Sequence, residues 1–259
     1  MTPERDAWQR WCEARESALA APDSWLGLAG LYWLESEINS VGTDVCAAVV
    51  LPHGPGHLGD VVRDGDTLRW MPLGGEPLQL HTDRDGSPTL VESGRSAFFV
   101  IEREGRLAVR VRDLAWAERL SFTGIERFDY DPAWRIEAEW QPLDPPQVME
   151  VPNVTGELRS VNVAWQAAFR VSDQDVVLLP MSVAEHGTFF VFRDATSGRI
   201  SYGAGRFLNT DAPANGRIVL DFNFACNPPC AFTPFATCPL PPAENWLPFA
   251  VEAGEKRPR

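Results

Sequence analysis

Six prolines, three cysteines, three asparagines and two acids fall between Asp221 and Asn245. Proline has no backbone N–H and a fixed φ, so neither a regular helix nor a central strand runs through such a stretch. The chain must build an irregular, stiffened segment here. That segment carries Asn223, Cys226, Asn227, Cys230, Cys238, Glu244 and Asn245, all side chains that bind, donate or react.

The rest of the chain predicts a mainly β, antiparallel sandwich or barrel with an N-terminal helix. Thr2 and Pro3 suit an N-cap and a first helical position. Trp8, Trp11, Cys12 and Leu19 then recur on one face, and Pro22 limits the helix. Beyond it, short apolar runs are divided by Gly, Asn and Asp, which reads as strands. Asp64-Gly65, Asp85-Gly86 and Asn215-Gly216 are turn signals, Asp83-Arg84-Asp85-Gly86 looks like a hairpin tip, and Glu104-Gly105 reads as another hairpin. Trp134, Ile136, Ala138 and Trp140 alternate strictly with Arg135, Glu137 and Glu139, so one face of that strand is apolar and the other charged. Pro142 to Pro146 is expected to punctuate the middle of the chain. The expected organisation is a helix over 1–22, a β-sandwich-like part over 23–125 and a β-rich part over 126–259.

A formal net charge of −13 disfavours nucleic acid and anionic membrane surfaces, both of which call for surplus Lys and Arg. The start of the chain lacks a basic, apolar leader, and no apolar run reaches membrane-span length, so the expected setting is the cytoplasm. Five cysteines make no complete disulfide framework, and a reducing compartment keeps them as thiols.

Several fragments resemble one family. They are Gly30-Leu31-Tyr32-Trp33-Leu34, Asp131-Pro132-Ala133-Trp134-Arg135, Val151-Pro152-Asn153-Val154, Phe192-Arg193-Asp194-Ala195-Thr196-Ser197-Gly198, Tyr202-Gly203-Ala204-Gly205-Arg206-Phe207 and the Asp221–Asn245 stretch. Together they are similar to the family known as domain of unknown function 1684 (DUF1684), which implies no particular activity. Glu37 to Asp44, Val49 to Pro52 and Gly56-His57 also resemble the opening of a forkhead-associated β-sandwich. Those modules read phosphothreonine through an arginine after the glycine and a serine before the histidine region. Here Thr43 follows Gly42 and Gly56 precedes His57, so that resemblance implies the sandwich without its phosphate-binding residues.

Two polar clusters compete for a role. Arg193 and Asp194 flank a turn, while Tyr202 and Arg206 sit among glycines that let a ligand approach closely. Arginine offers a planar fork for anions. Asp221 and Asn223, two apart on a strand, are expected on one face bordering a pocket. The site predicted from these residues binds a small polar molecule, anionic or carbohydrate-like. Arg193, Tyr202, Arg206, Asn223, Asn227 and Asn245 hold it, Glu244 moves a proton, and Cys230 is a reactive thiol. The cysteines at 226, 230 and 238 lack nearby histidines and paired spacing, so no metal site is expected. They are otherwise read as buried structural thiols, or as one reactive cysteine at Cys230 or Cys238. The alternative function is a non-enzymatic interaction module on the forkhead-associated-like part, with a binding edge near 39–57. No cofactor or oligomeric state follows from the residues.

Overall fold

The computed structural model describes residues 2–258 and is mainly β, with antiparallel pairing in all strand ladders but one. The expected helix is α1, Pro3–Ala20. Chain contacts divide the protein into two compact units. One comprises Ser17–Thr123, and the other joins the residues up to Glu16 with those from Gly124 onward.

The Ser17–Thr123 unit contains β1 (Leu28–Trp33), β2 (Ile38–Gly42), β3 (Val49–Val50), β4 (Gly59–Asp64), β5 (Thr67–Pro72), β6 (Leu78–Leu80), β7 (Val91–Ser93), β8 (Ser96–Arg103) and β9 (Arg106–Asp113). These form two sheets, ordered β1-β9-β8-β7 and β3-β2-β4-β5-β6, with β2 and β3 parallel. Val41, Val61 and Trp70 from one sheet and Phe98, Val100 and Val109 from the other share one apolar core, which makes the pair a sandwich. Two turn signals act as expected. Asp64-Gly65 closes the β4–β5 hairpin, and Glu104-Gly105 closes β8–β9 with φ of 47° and 76°. The Asp83–Gly86 turn does not join a hairpin: it lies between β6 and β7, which belong to different sheets. Turn chemistry fixes a local reversal but not the partner of the next strand.

The second unit contains β10 (Arg135–Pro152), β11 (Leu158–Val171), β12 (Gln174–Leu178), β13 (Ser182–Ala184), β14 (Gly187–Phe192), β15 (Arg206–Thr210) and β16 (Arg217–Asp221). Its sheets are β12-β11-β10-β16 and β13-β14-β15, both open, so no barrel closes. Ala138 and Trp140 are buried while Arg135, Glu137 and Glu139 are exposed, as the alternation predicts. The core they join centres on Phe222, which is fully buried and meets the rings of Trp134, Phe169 and Phe192 at 6.1, 6.1 and 5.2 Å.

Residues 142–146 punctuate β10 differently from expectation. The strand continues through them, but its register with β11 jumps from Pro142↔Trp165 to Gln147↔Val163. Prolines cannot donate to the ladder, so the pairing lapses and the extra residues bulge outward. The helix packs on this unit through its N-terminal turns. Trp11 meets Phe224 edge-on at 5.2 Å, and Trp8 Nε1 donates to the Asn223 carbonyl at 3.0 Å.

Candidate functional site

The charged face of β10 becomes the floor of a cleft. In the β10–β16 ladder, Arg135 lies opposite Asp221, Glu137 opposite Val219 and Glu139 opposite Arg217. Directly paired residues share a face. Arg135 Nε approaches Asp221 Oδ2 at 3.9 Å, and Arg217 Nε approaches Glu137 Oε1 at 3.9 Å. The Arg217–Glu137 pair is loose and solvent-facing and contributes at most ~1 kcal/mol, so a ligand displaces it cheaply. The cleft measures about 820 Å³. Its rim comes from Glu4 and Ala7 of α1, from residues 209–212 at the end of β15 and just beyond it, and from Phe224.

Asp221 lines this cleft, and its proton affinity is raised. Burial drives its pKa up. Hydrogen bonds from the Asn223 amide N–H and side chain, at 3.1 and 2.9 Å, and the charge of Arg135 oppose that rise without cancelling it. The protonated carboxyl is therefore favoured beyond the ordinary range. Asp83 and Asp113, by contrast, are shifted down.

Asn223 does not share the strand face of Asp221. The strand stops at Asp221, whose side chain caps a single 3₁₀ turn over Phe222–Phe224. Asparagine and aspartate make such turns by bonding the backbone two residues on. Asn223 is thereby buried. Its side chain accepts from the Asp131 N–H at 3.0 Å and donates to the Asp131 carbonyl and to Asp221 at 2.9 Å each. It is a positioning residue for Asp221, with both amide protons already committed.

Arg206 and Asn227 belong to a different, solvent-free network. The Arg206 side chain has no exposed surface. Its Nη2 donates to Asp194 Oδ2 at 2.8 Å and to the Val251 carbonyl at 2.9 Å, and its Nη1 donates to the Ala253 carbonyl. Burial pulls the guanidinium pKa down, and Asp194 and Glu255 hold it up. Glu255, also fully buried, accepts from Arg15 and from the Asn227 N–H at 2.7 Å. The Asn227 side chain donates to the Lys256 carbonyl at 2.7 Å. These groups fasten residues 251–256 to the unit, and Arg206 is out of reach of a solvent-borne ligand.

The remaining predicted residues are dispersed. Asn245 is fully buried between Leu179 and Val191. Its neighbour Glu244 is exposed and lies outside the cleft. Arg193 lays its guanidinium 4.6 Å from the Trp246 ring centre. Tyr202 donates its hydroxyl to the Cys230 carbonyl at 2.9 Å. Of the 221–245 stretch, Asp221 and Phe224 line the cleft; Asn227, Cys230 and Glu244 do not, nor do Tyr202 and Arg206. The residues that sequence reasoning left out of the site are Arg135, Glu137 and Arg217. Their signal was visible as the charged half of the period-two pattern, which also fits an ordinary solvated face.

The family model for DUF1684, described as a protein of unknown function, matches residues 120–256. The chain belongs to the DUF1684 family. The matched segment nearly coincides with the unit that begins at Gly124, and it holds the cleft floor, Asp221 and the Arg206 network. A solution NMR structure of an uncharacterized protein from Haloarcula marismortui is 32% identical, with a TM-score of 0.43. That match covers 52% of this chain and 77% of the other. No curated protein matches.

Within the DUF1684 segment the groups around the cysteines titrate unusually. Burial, the nearby Cys230 thiol and a hydrogen bond with it push Tyr202 up to about 12. Folding therefore favours the neutral phenol. Its contribution to stability is full below the ordinary tyrosine pKa of about 10 and is lost as pH rises through about 12. A spectrophotometric titration should show a late phenolate wave that Tyr202→Phe removes. Persistence of that wave in the variant would assign it elsewhere. Burial likewise pushes Cys226 up to about 11, which leaves it a poor nucleophile.

Proposed function

We propose that this DUF1684 protein binds a small, neutral, polyhydroxylated molecule in the β10–β16 cleft and that Asp221 exchanges a proton with it. The observation that carries this reading is a carboxyl pushed up by burial, lining a cleft of about 820 Å³. That volume falls in the usual range for small-molecule sites, and a perturbed acid inside a cleft is the physical signature of a reactive group. The ligand's charge follows from the lining. Four carboxylates, Glu4, Glu137, Asp211 and Asp221, face two guanidiniums, Arg135 and Arg217, so an anion would meet surplus negative charge. Neutral hydroxyls match such a mixed array of donors and acceptors, with Phe224 offering an apolar wall. Protonated, Asp221 donates to an oxygen of the ligand. Ionised, it accepts a proton, with Arg135 beside it to stabilise the charge. The five free thiols suit a reducing setting, and the same reading places the chain in the cytoplasm.

The test pairs thermal-shift screening of sugars and polyols with two variants. Arg135→Ala should abolish the ligand-induced shift. Asp221→Asn should keep binding but lose any turnover. Asn retains the acceptor for Asn223 and removes a buried charge, so the apo variant should melt at or above the wild-type temperature at neutral pH. The gap should close as pH falls toward the ordinary carboxylate pKa of ~3.9, because the wild-type group is then neutral too. A ligand shift undiminished in Arg135→Ala places binding elsewhere.

The interaction-module reading of residues 23–125 has less to support it. The edge it requires near residues 39–57 is β3, only two residues long, and so short a strand presents few backbone groups to a partner.

A further inference from the structure

Cys230 and Cys238 are brought together by the prolines around them. Cys230 lies in the 3₁₀ turn Pro229–Ala231, entered from Pro228. Cys238 precedes Pro239, which bridges to Asn153, while the Cys238 carbonyl accepts from Val154 at 3.0 Å. With both backbones pinned, the Cys230 N–H donates to Cys238 Sγ at 3.3 Å. The Tyr202 hydroxyl closes the same corner, donating to the Cys230 carbonyl at 2.9 Å. One phenolic proton serves one acceptor at a time. With a neutral thiol it rests on the Cys230 carbonyl, and a thiolate would compete for it. The two cysteines also differ in access: Cys230 is half-buried, whereas Cys238 is 5% exposed. An accessible thiol beside a sheltered one is the arrangement of an attacking and a resolving pair.

We propose that Cys230 and Cys238 form a peroxide-reactive dithiol, in which Cys230 attacks and Cys238 resolves. The Cys230 thiolate attacks one oxygen of a hydroperoxide. The O–O bond breaks, the sulfur is oxidised to a sulfenic acid, and the other oxygen leaves as water or an alcohol after taking a proton. The Cys238 thiol then attacks the sulfenic sulfur. An S–S bond forms, the S–O bond breaks, and water leaves with the Cys238 proton. A small thiol or a dithiol protein returns the pair to the reduced state by exchange. The hydrogen bond from the Cys238 thiol lowers the Cys230 pKa, and the Tyr202 hydroxyl adds to this, both outweighing the rise from burial. Cys226 serves as an internal contrast, being buried and raised to about 11.

The experiment treats the reduced full chain with hydrogen peroxide, blocks the remaining thiols and maps the peptides by mass spectrometry. A Cys230–Cys238 cross-linked peptide with a loss of two hydrogens is expected from the wild-type protein. Before oxidation, Cys230 should alkylate about tenfold or more faster than Cys226. Cys238→Ser should accumulate a Cys230 sulfenic acid that a carbon nucleophile traps, and Tyr202→Phe should slow Cys230 severalfold while leaving the exposed Cys46 unchanged. The proposal fails if excess peroxide leaves wild-type Cys230 and Cys238 unlinked, or if Cys230→Ser leaves Cys238 oxidation unaltered. The wild-type mapping decides the matter even where a variant folds poorly.

Discussion

Arg206→Met will destabilise the C-terminal unit by about 3–5 kcal/mol, the usual cost of removing one partner of a buried ion pair. The guanidinium is fully buried against Asp194, and it also binds the Val251 and Ala253 carbonyls. Methionine fills similar volume but returns none of these bonds. Asp194 would keep the Thr196 and Val251 N–H groups on Oδ1, at 2.8 and 3.2 Å, and lose the countercharge on Oδ2. At roughly 2–4 °C per kcal/mol for a unit of this size, melting should fall by roughly 6–20 °C. Adding Asp194→Asn to the methionine variant should recover part of the loss, because the stranded charge is then gone. Arg206→Lys should rescue poorly, since one ammonium cannot reproduce a planar fork. Thermal melts and denaturant titrations of the four proteins check this. A melting point unchanged in Arg206→Met, with ligand response lost, would instead make Arg206 a ligand-binding side chain.

Asn245→Ala should cost a similar amount, about 3–5 kcal/mol, by leaving buried backbone groups unpaired at ~1–3 kcal/mol each. Asn245 has no exposed surface. Its oxygen accepts from the Leu179 N–H at 2.8 Å, and its amide donates to the Leu179 and Val191 carbonyls at 2.9 Å each. Leu179 follows β12 of one sheet and Val191 lies in β14 of the other, so one side chain ties the two sheets together. Asn245→Asp is nearly isosteric, yet it should be at least as damaging. It keeps the acceptor and loses both donors, and it also buries a charge opposite carbonyl oxygens. Faster amide exchange at residues 178–192 would locate the damage. Wild-type melting in both variants would show that the tie is dispensable.

These two residues illustrate what was legible and what was not. Asn245 and Arg206 were both readable as polar groups in a segment too rich in proline and glycine to be ordinary. Their roles were not readable, because a hydrogen-bond donor serves a ligand or a backbone carbonyl with equal chemistry. Only burial separates the two, and burial depends on distant chain. The acids and guanidiniums of the cleft show the converse. Arg135 and Glu137 looked like a solvated strand face, and they become a cleft floor because β16 pairs beside them and α1 supplies Glu4 and Ala7 at the rim. Asn223 was misplaced for a local reason: an aspartate that caps its own turn ended the strand one residue after Leu220.

By itself the sequence determined the β class, the N-terminal helix, most hairpin turns and the irregular course of residues 221–245. Period-two patterning, left-handed turn residues and proline's missing N–H all act within a few residues, so they can be read in order along the chain. The tertiary structure alone decided which polar groups meet. Arg15 reaches Glu255 across 240 positions, and Asn245 reaches Leu179 across 66. It also decided which cysteine in the proline-rich stretch is sheltered and which is half-buried, and that burial raises the proton affinity of Asp221. Desolvation and hydrogen bonding are set by neighbours in space, and no local pattern encodes them.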